Sequence, residues 1–412
     1  MDRRVLAQLS YGHLATDLAQ GALPALLPLF KTRYHLSYTD VGFIVLMANI
    51  SSSVIQPVFG LVSDRLQMRW IMPAGTVTAG TALLLAVHAP SYWVMVALIF
   101  LSGLGVAAFH PEGYRYAGLA SGARRATGMS YFSVGGNLGF GLGPAAASVA
   151  LSLAGPHGMA YLPLVALPAA VLLWKVTDPS VRGRLEAAWT ALGAVQPADA
   201  PASPRRGRAS RGPLALLVLY VILRSWIQLG IASFIPLYFT GIRHMDPRFA
   251  GAVISVFLGS GALGTMLGGP AADRWGRRIT LIVSMASLPP LLWVLTRASG
   301  TWTLAVATLA GMEVVSTFAV VMVMAQELIP ERIGMISGLI IGFAVGTGGV
   351  GVTLLGAVAD RWGVLRALDI TALLPVAALA VALFLPPDLP RHAHAAAPRP
   401  RGGRVEARVG GP

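Results

Sequence analysis

Cysteine is absent from the 412-residue chain, which excludes disulfides, zinc–thiolate sites and thiol chemistry. Charge is nearly as scarce: Asp, Glu, Lys and Arg make up 12% of the residues, against roughly 25% in a soluble domain. With 55% hydrophobic residues and a mean hydropathy of +0.68, a fold of this length lacks the polar groups to cover a water-facing surface. Lysine occurs twice, at Lys31 and Lys175, among 31 basic residues; this preference for arginine points to a GC-rich, bacterial genome. There is no nucleotide-binding loop, no metal-ligand cluster and no nucleophile with a base beside it, so primary pumps and membrane enzymes are set aside and no cofactor or metal is expected. The formal charge of +14 does not signal nucleic acid, because the basic residues fill gaps between apolar runs without the aromatic interleaving of such binders.

What the chain has in abundance is apolar runs. Twelve are read at 5–30, 40–63, 70–89, 92–114, 126–154, 159–177, 213–240, 248–272, 278–297, 301–327, 332–358 and 364–386. Runs of about 20 residues cross the ~30 Å hydrocarbon layer as helices, the form in which a single segment satisfies its own backbone. The expected fold is an all-α polytopic membrane protein whose partners include the lipid bilayer. No cleavable signal peptide is expected, since the first run is long and holds His13 and Asp17. The 47 glycines suit close helix packing, and Pro24, Pro28, Pro144, Pro163 and Pro168 predict kinks. With the N-terminus inside, 23 basic residues fall in the inner loops and ends and 7 on the opposite side. That asymmetry predicts a multi-pass protein of the bacterial inner membrane with both termini cytoplasmic.

Residues 177–212 break the pattern, being rich in Pro, Ala, Ser and Arg without a sustained hydrophobic period. They read as a mostly disordered cytoplasmic linker with a short helix around Leu185–Leu192. The expected organisation is a six-helix half over 1–176, the linker at 177–212, a second half over 213–386 and a disordered tail at 387–412. The halves are related: GLVSDRLQMRW at 60–70 returns as GPAADRWGRRI at 269–279, and a third copy, GAVADRWGVLR at 356–366, follows the eleventh run. Such repeats are what a transporter built from inverted three-helix units predicts, with the third copy facing the opposite side of the membrane.

The Gly-x-x-x-Asp-Arg-x-Gly-Arg-Arg pattern formed by Gly269, Asp273, Arg274, Gly276, Arg277 and Arg278 resembles the signature loop of the major facilitator superfamily. The first copy keeps Gly60, Asp64, Arg65 and Arg69 but has Gln67 and Met68 where Gly and Arg are usual. Its Asp can cap the next helix or pair with Arg across the halves, so these residues are expected to gate the inner face, with Glu327 pairing with Arg332 nearby. GNLGFGLGPAAAS at 136–148 is similar to the glycine-rich fifth helix of the superfamily's antiporters, or is ordinary small-residue packing. GHLATDLAQGALPALLPLF, SSSVIQPVFGLVSD, FHPEG and AQELIPERIGMISGLIIGFAVGTGGVG resemble the fosmidomycin resistance protein family over essentially all of residues 5–386. The resemblance implies a twelve-helix major facilitator fold and export of an anionic phosphonate, driven by inward proton flow.

Ionisable residues inside the runs mark the candidate site, since a charge at a helix centre costs about 2.5–3.5 kcal/mol on insertion scales. His13, Asp17 and Gln20 follow i, i+4, i+7 and share one helix face; Asp17 is the proposed proton carrier, or its hydrogen bond to His13 only fixes packing. Arg224 and Gln228, again i and i+4, are the expected anion site, the alternative being an ion pair of Arg224 with Asp17. His110 and Glu112 flank Pro111 near the inner end of the fourth run, pointing about 200° apart on a regular helix. His110 is a substrate or proton contact, and Glu112 either couples protons or pairs with Arg115 at helical spacing. Glu313 is a further proton-coupling candidate; Gln56 and Asn137 are candidate cavity polars.

The function so predicted is a proton-coupled exporter of a small, anionic compound, working as a monomer, with protons and one small molecule as its partners. An importer or exchanger of an organic anion or sugar-like metabolite shares the same features. A transport-dead receptor or structural subunit fits less well with Asp17, Arg224 and the gate motif all intact.

Overall fold

The computed structural model describes residues 1–66, 68–191, 211–328, 339–344 and 346–386. Among these there is no strand, and the helices follow the apolar runs closely. The membrane helices are labelled α1 (Arg3–Arg33), α2 (Tyr38–Asn49, Ile50–Val54 and Gln56–Leu66), α3 (Ile71–Val87), α4 (Tyr92–Ser121), α5 (Arg125–Ala154) and α6 (Tyr161–Val176). The second set is α7 (Arg211–Gly241), α8 (Pro247–Trp275), α9 (Arg277–Arg297), α10 (Thr301–Ser316 and Phe318–Leu328), α11 (Leu339–Ala344 and Gly348–Trp362) and α12 (Val364–Phe384). Nine stretches are long and apolar enough to cross a membrane; one of them, Thr127–Val176, is α5 and α6 together. With α1 and the shorter apolar helix α3, the described helices match the twelve expected.

The prolines expected to kink the runs lie within assigned helices, among them Pro24 and Pro28 in α1, Pro144 in α5 and Pro168 in α6. The interruptions fall elsewhere. In α2 the turn Ile50–Val54 is a π-helix, closed by the Ile55 amide donating to the Ile50 carbonyl at 3.1 Å. Polar side chains explain it: Asn49 Nδ2 donates to the Val45 carbonyl, and Ser51 Oγ to the carbonyls of Met47 and Ala48. Side chains that claim backbone carbonyls compete with the regular ladder. The repeat mate of α2, α11, carries its own π-turn at Leu339–Ala344, and the two turns meet, Gly342 lying beside the Ser53 carbonyl.

Glycine lets α5 and α1 meet backbone to backbone. A Cβ at Gly139 would strike the Leu14 carbonyl, and one at Gly143 the backbone of Gly21. The glycine-rich stretch of α5 is therefore realised as backbone-to-backbone packing against α1.

Beyond α6 the chain forms the helix Pro179–Ala191, earlier by several residues than the expected Leu185–Leu192. Asp178 caps it, accepting from the Ser180 amide at 3.0 Å and the Ser180 hydroxyl at 2.7 Å. These bonds, with Arg69 at 3.4 Å, hold the Asp178 carboxyl below its ordinary value. That stabilisation is present above the usual carboxylate range and is lost as pH falls through the lowered value. Residues 192–210 of the predicted linker and the predicted tail from 387 lie outside the described residues.

The N-terminus, residues 177–191 and the end of α12 share one face of the bundle, here called the terminal face; Arg278 at the start of α9 bonds the Leu383 carbonyl of α12. Hydrogen bonds that join the two halves cluster toward the opposite, far face. There Arg248 Nε donates to Ser152 Oγ at 2.6 Å, and Asp360 at the end of α11 accepts from the amides of Tyr38 and Thr39 and from the Thr39 hydroxyl, at 2.6, 2.9 and 2.6 Å.

Candidate transport site

His13 and Asp17 lie one turn apart on α1, with His13 Nε2 at 3.2 Å from Asp17 Oδ2. The neighbour that completes the cluster comes from α4: His110 Nε2 is 3.4 Å from Asp17 Oδ1. All three residues are largely withdrawn from solvent. His13 stacks on Phe132 of α5, with ring centroids 4.2 Å apart, and its ring fills the space that a Cβ at Gly136 would take. Both imidazoles are oriented by backbone carbonyls. His13 Nδ1 lies 3.0 Å from the Phe132 oxygen and His110 Nδ1 2.9 Å from the Val106 oxygen. Sequence spacing did not show that His13, Asp17 and His110 belong together; the fold brings one ring nitrogen or carboxylate oxygen of each within 4.8 Å of one another. The grouping escaped the sequence because its third member sits 93 residues along, on another helix.

One expectation about α4 is corrected and another is met. The helix runs on to Ser121, so FHPEG is well inside it rather than at its end. His110 turns to Asp17, whereas Glu112 is buried on another side and pairs with Arg115 at 3.5 Å. The divergence of the two side chains is as the helical geometry predicts.

In the second half, Arg224 of α7 is 3% exposed. One Nη donates to Gln228 Oε1 at 3.2 Å and to the Val314 carbonyl of α10 at 3.3 Å, and the guanidinium lies 5.2 Å from the Phe318 ring centroid. Its Nε has no hydrogen-bond partner. Among the described residues no carboxylate forms an ion pair with it, and Asp17, the alternative partner, faces the two histidines instead. A buried guanidinium held only by neutral groups remains short of negative charge. Glu313, half-buried, precedes the carbonyl that Arg224 bonds; its own carbonyl accepts from Ser284 and Ser316.

A narrow cavity lies between the halves, lined by residues of α1, α2, α3, α4, α5, α7 and α8. Its polar lining is Gln20, Asn49, Ser52, Ser102 and Ser233. Gln20 was expected there. Gln56 and Asn137 were too, but neither lines the cavity: Asn137 is exposed on α5, and Gln56 begins the last part of α2 beyond the π-turn. Asn49 and Ser52 were missed, although a polar Asn49 with serines at 51–53 inside an apolar run was a legible signal.

At the terminal face the described gate residues bind within their own halves. Arg69 stacks on Trp174, Cζ 4.3 Å from the ring centroid, and reaches Asp178. Arg277 grips Glu327 with both Nη atoms, the second at 2.8 Å; the expected partner of Glu327, Arg332, falls on a residue that is not described. Arg332 and the side chains of Asp64 and Arg65 lie outside the described residues; Asp273 and Arg274 are exposed. The far face, by contrast, carries a bond between the halves made by the third motif copy. Asp360 caps the first amides of α2 with a carboxylate, a charge-assisted arrangement. Asp360→Ala is therefore expected to open that face. With labels at Pro90→Cys and Thr301→Cys in this otherwise cysteine-free chain, electron–electron spin distances should lengthen, the open population rising about tenfold or more. An unchanged distance distribution would show that Asp360 is not a latch.

A bundle of paired six-helix halves around a central cavity, with buried charge on both sides, defines a secondary transporter. The chain matches the Major Facilitator Superfamily over residues 9–350 and belongs to it. It is 32% identical over 382 residues to the fosmidomycin resistance protein of Escherichia coli (strain K12), covering 93% of this chain and 92% of that one. It is 33% identical over 383 residues to the uncharacterized MFS-type transporter YfnC of Bacillus subtilis (strain 168), covering 91% of each. Its fold is that of the nucleoside transporter NupG, with a TM-score of 0.72, 13% identity and coverage of 92% of this chain and 98% of that one. A bacterial homologue of the human lysosomal transporter Spinster, crystallised inward-facing and occupied, gives 0.66 at 12% identity over 92% and 96% of the two chains.

Proposed function

We propose that the protein is a proton-coupled exporter of a small anionic organic compound, of the phosphonate or carboxylate kind, working by alternating access. The observation that carries this is the division of charge between the halves. A His–Asp–His cluster able to hold protons belongs to α1 and α4, while a buried arginine without an acidic partner belongs to α7. The cavity between them begins within about a turn or two of each, at Gln20, Val106 and Leu229. Relative movement of the halves then changes the access of a cation site and an anion site together, as exchange of protons for an anion requires. The likeness to a fosmidomycin resistance protein supports a phosphonate as first probe. The excess of arginine on the terminal face supports its being cytoplasmic, in a bacterial inner membrane; the proposed working unit is a monomer, since one chain carries both charged sites.

Purified protein in proteoliposomes, given fosmidomycin and an imposed pH gradient, tests the reading. Fosmidomycin should move against the direction of proton flow, and a protonophore should stop it. If neither fosmidomycin nor simpler phosphonates and carboxylates respond to the gradient, the reading fails.

A further inference from the structure

We propose that His13, Asp17 and His110 act as one site that takes up two protons per transport cycle; the inference rests on the proton-coupled reading above. A carbonyl oxygen only accepts, so the bonds of His13 Nδ1 to Phe132 and of His110 Nδ1 to Val106 place a proton on each Nδ1. In the neutral rings each Nε2 is then a lone pair. Both Nε2 atoms lie close to the Asp17 carboxylate, at 3.2 and 3.4 Å, and its buried Oδ1 has no hydrogen-bond partner among the described residues.

Without further protons, three acceptors confront one another and the cluster carries one net negative charge, an arrangement that the low-polarity interior penalises. One proton turns one of the two contacts into a hydrogen bond and leaves the other as acceptor against acceptor. Two protons satisfy both, an imidazolium on each side of a carboxylate, with one net positive charge. The proton between His110 and Asp17 is the one that ties α4 to α1. The surroundings supply little competing charge. The Tyr114 hydroxyl-bearing ring of α4 is 6.2 Å from both imidazoles. The other aromatic rings against His13 are Phe109 of α4 and Phe132 of α5, α3 contributes Thr76 against Thr16, and Glu112 and Arg115 face each other elsewhere.

The number of protons is read directly from the balance of gradients. In proteoliposomes with the membrane potential clamped at zero, a tenfold fosmidomycin gradient is nulled by the opposing pH difference, in a range where the probe's own charge is constant. Two-proton coupling nulls it at about half a pH unit and one-proton coupling at about one, because each pH unit per proton equals a tenfold gradient. Wild type is expected at the half unit and His110→Gln at one unit. Nitrogen-15 histidine spectra of the unmodified protein give a check that needs no variant: both rings should show the Nδ1–H tautomer at high pH. A wild-type null at one unit, or an Nε2–H tautomer at His13 or His110, overturns the proposal while leaving proton coupling intact. Absence of any null at a finite pH difference overturns the coupled reading itself.

Discussion

Asp17→Asn abolishes proton-driven transport while leaving the folded protein and its binding of anions in place: that is the expected result, with gradient-driven flux falling at least about a hundredfold, the lower range of effects for proton-transfer groups. Asparagine is nearly isosteric with aspartate. Its amide nitrogen donates to the Nε2 lone pair of one histidine as a protonated carboxyl would, so the variant imitates the singly protonated site but cannot release that hydrogen. Exchange of labelled for unlabelled fosmidomycin at equal pH on both sides should therefore survive. Flux that still follows the pH gradient in this variant would move the proton site elsewhere, to Glu313 or Glu112.

Removal of Arg224 has the second largest effect. The guanidinium is buried, permanently charged and, among the described residues, bound to Gln228, to a backbone carbonyl and to the face of Phe318. An arriving phosphonate or carboxylate supplies the missing charge, and the planar fork presents two donors to two of its oxygens. Truncating one partner of a buried charge pair costs about 2–5 kcal/mol, so Arg224→Ala is expected to lose anion binding by a factor of about thirty or more. Arg224→Lys keeps the charge but not the fork and should bind at least about tenfold more weakly. Titration of the purified variants with fosmidomycin measures both. Wild-type affinity in Arg224→Lys would end the clamp hypothesis. Because Asp17 faces histidines rather than Arg224, combining Asp17→Asn with Arg224→Ala should not restore stability lost in either single variant.

Hydrophobic runs, scarce charge and the repeated Gly–Asp–Arg motif were enough to read an all-helical transporter of this superfamily from the sequence. Each of these is a local property: a run of about 20 apolar residues must be helical in lipid whatever surrounds it. Spacing on a single helix was legible for the same reason. It placed His13 with Asp17 at i, i+4 and Arg224 with Gln228 at i, i+4, and both pairs meet in the structure. It also separated His110 from Glu112 and joined Glu112 to Arg115.

What the sequence by itself determined, then, is the set of helices, the superfamily and the buried ionisable residues. Tertiary structure alone decided which of those residues share a site. His110 joins Asp17 because α4 packs beside α1, and Arg277 takes Glu327 because α9 lies beside α10. Asp360 reaches α2 because two halves with no covalent neighbour at that face close against each other. The physical reason is range: helix periodicity fixes neighbours within a turn or two, whereas contacts between helices depend on how small residues let particular faces approach. Gly136, Gly139 and Gly143 bring α5 so close to α1 that His13 lies against Phe132, and no spacing along the chain encodes that distance.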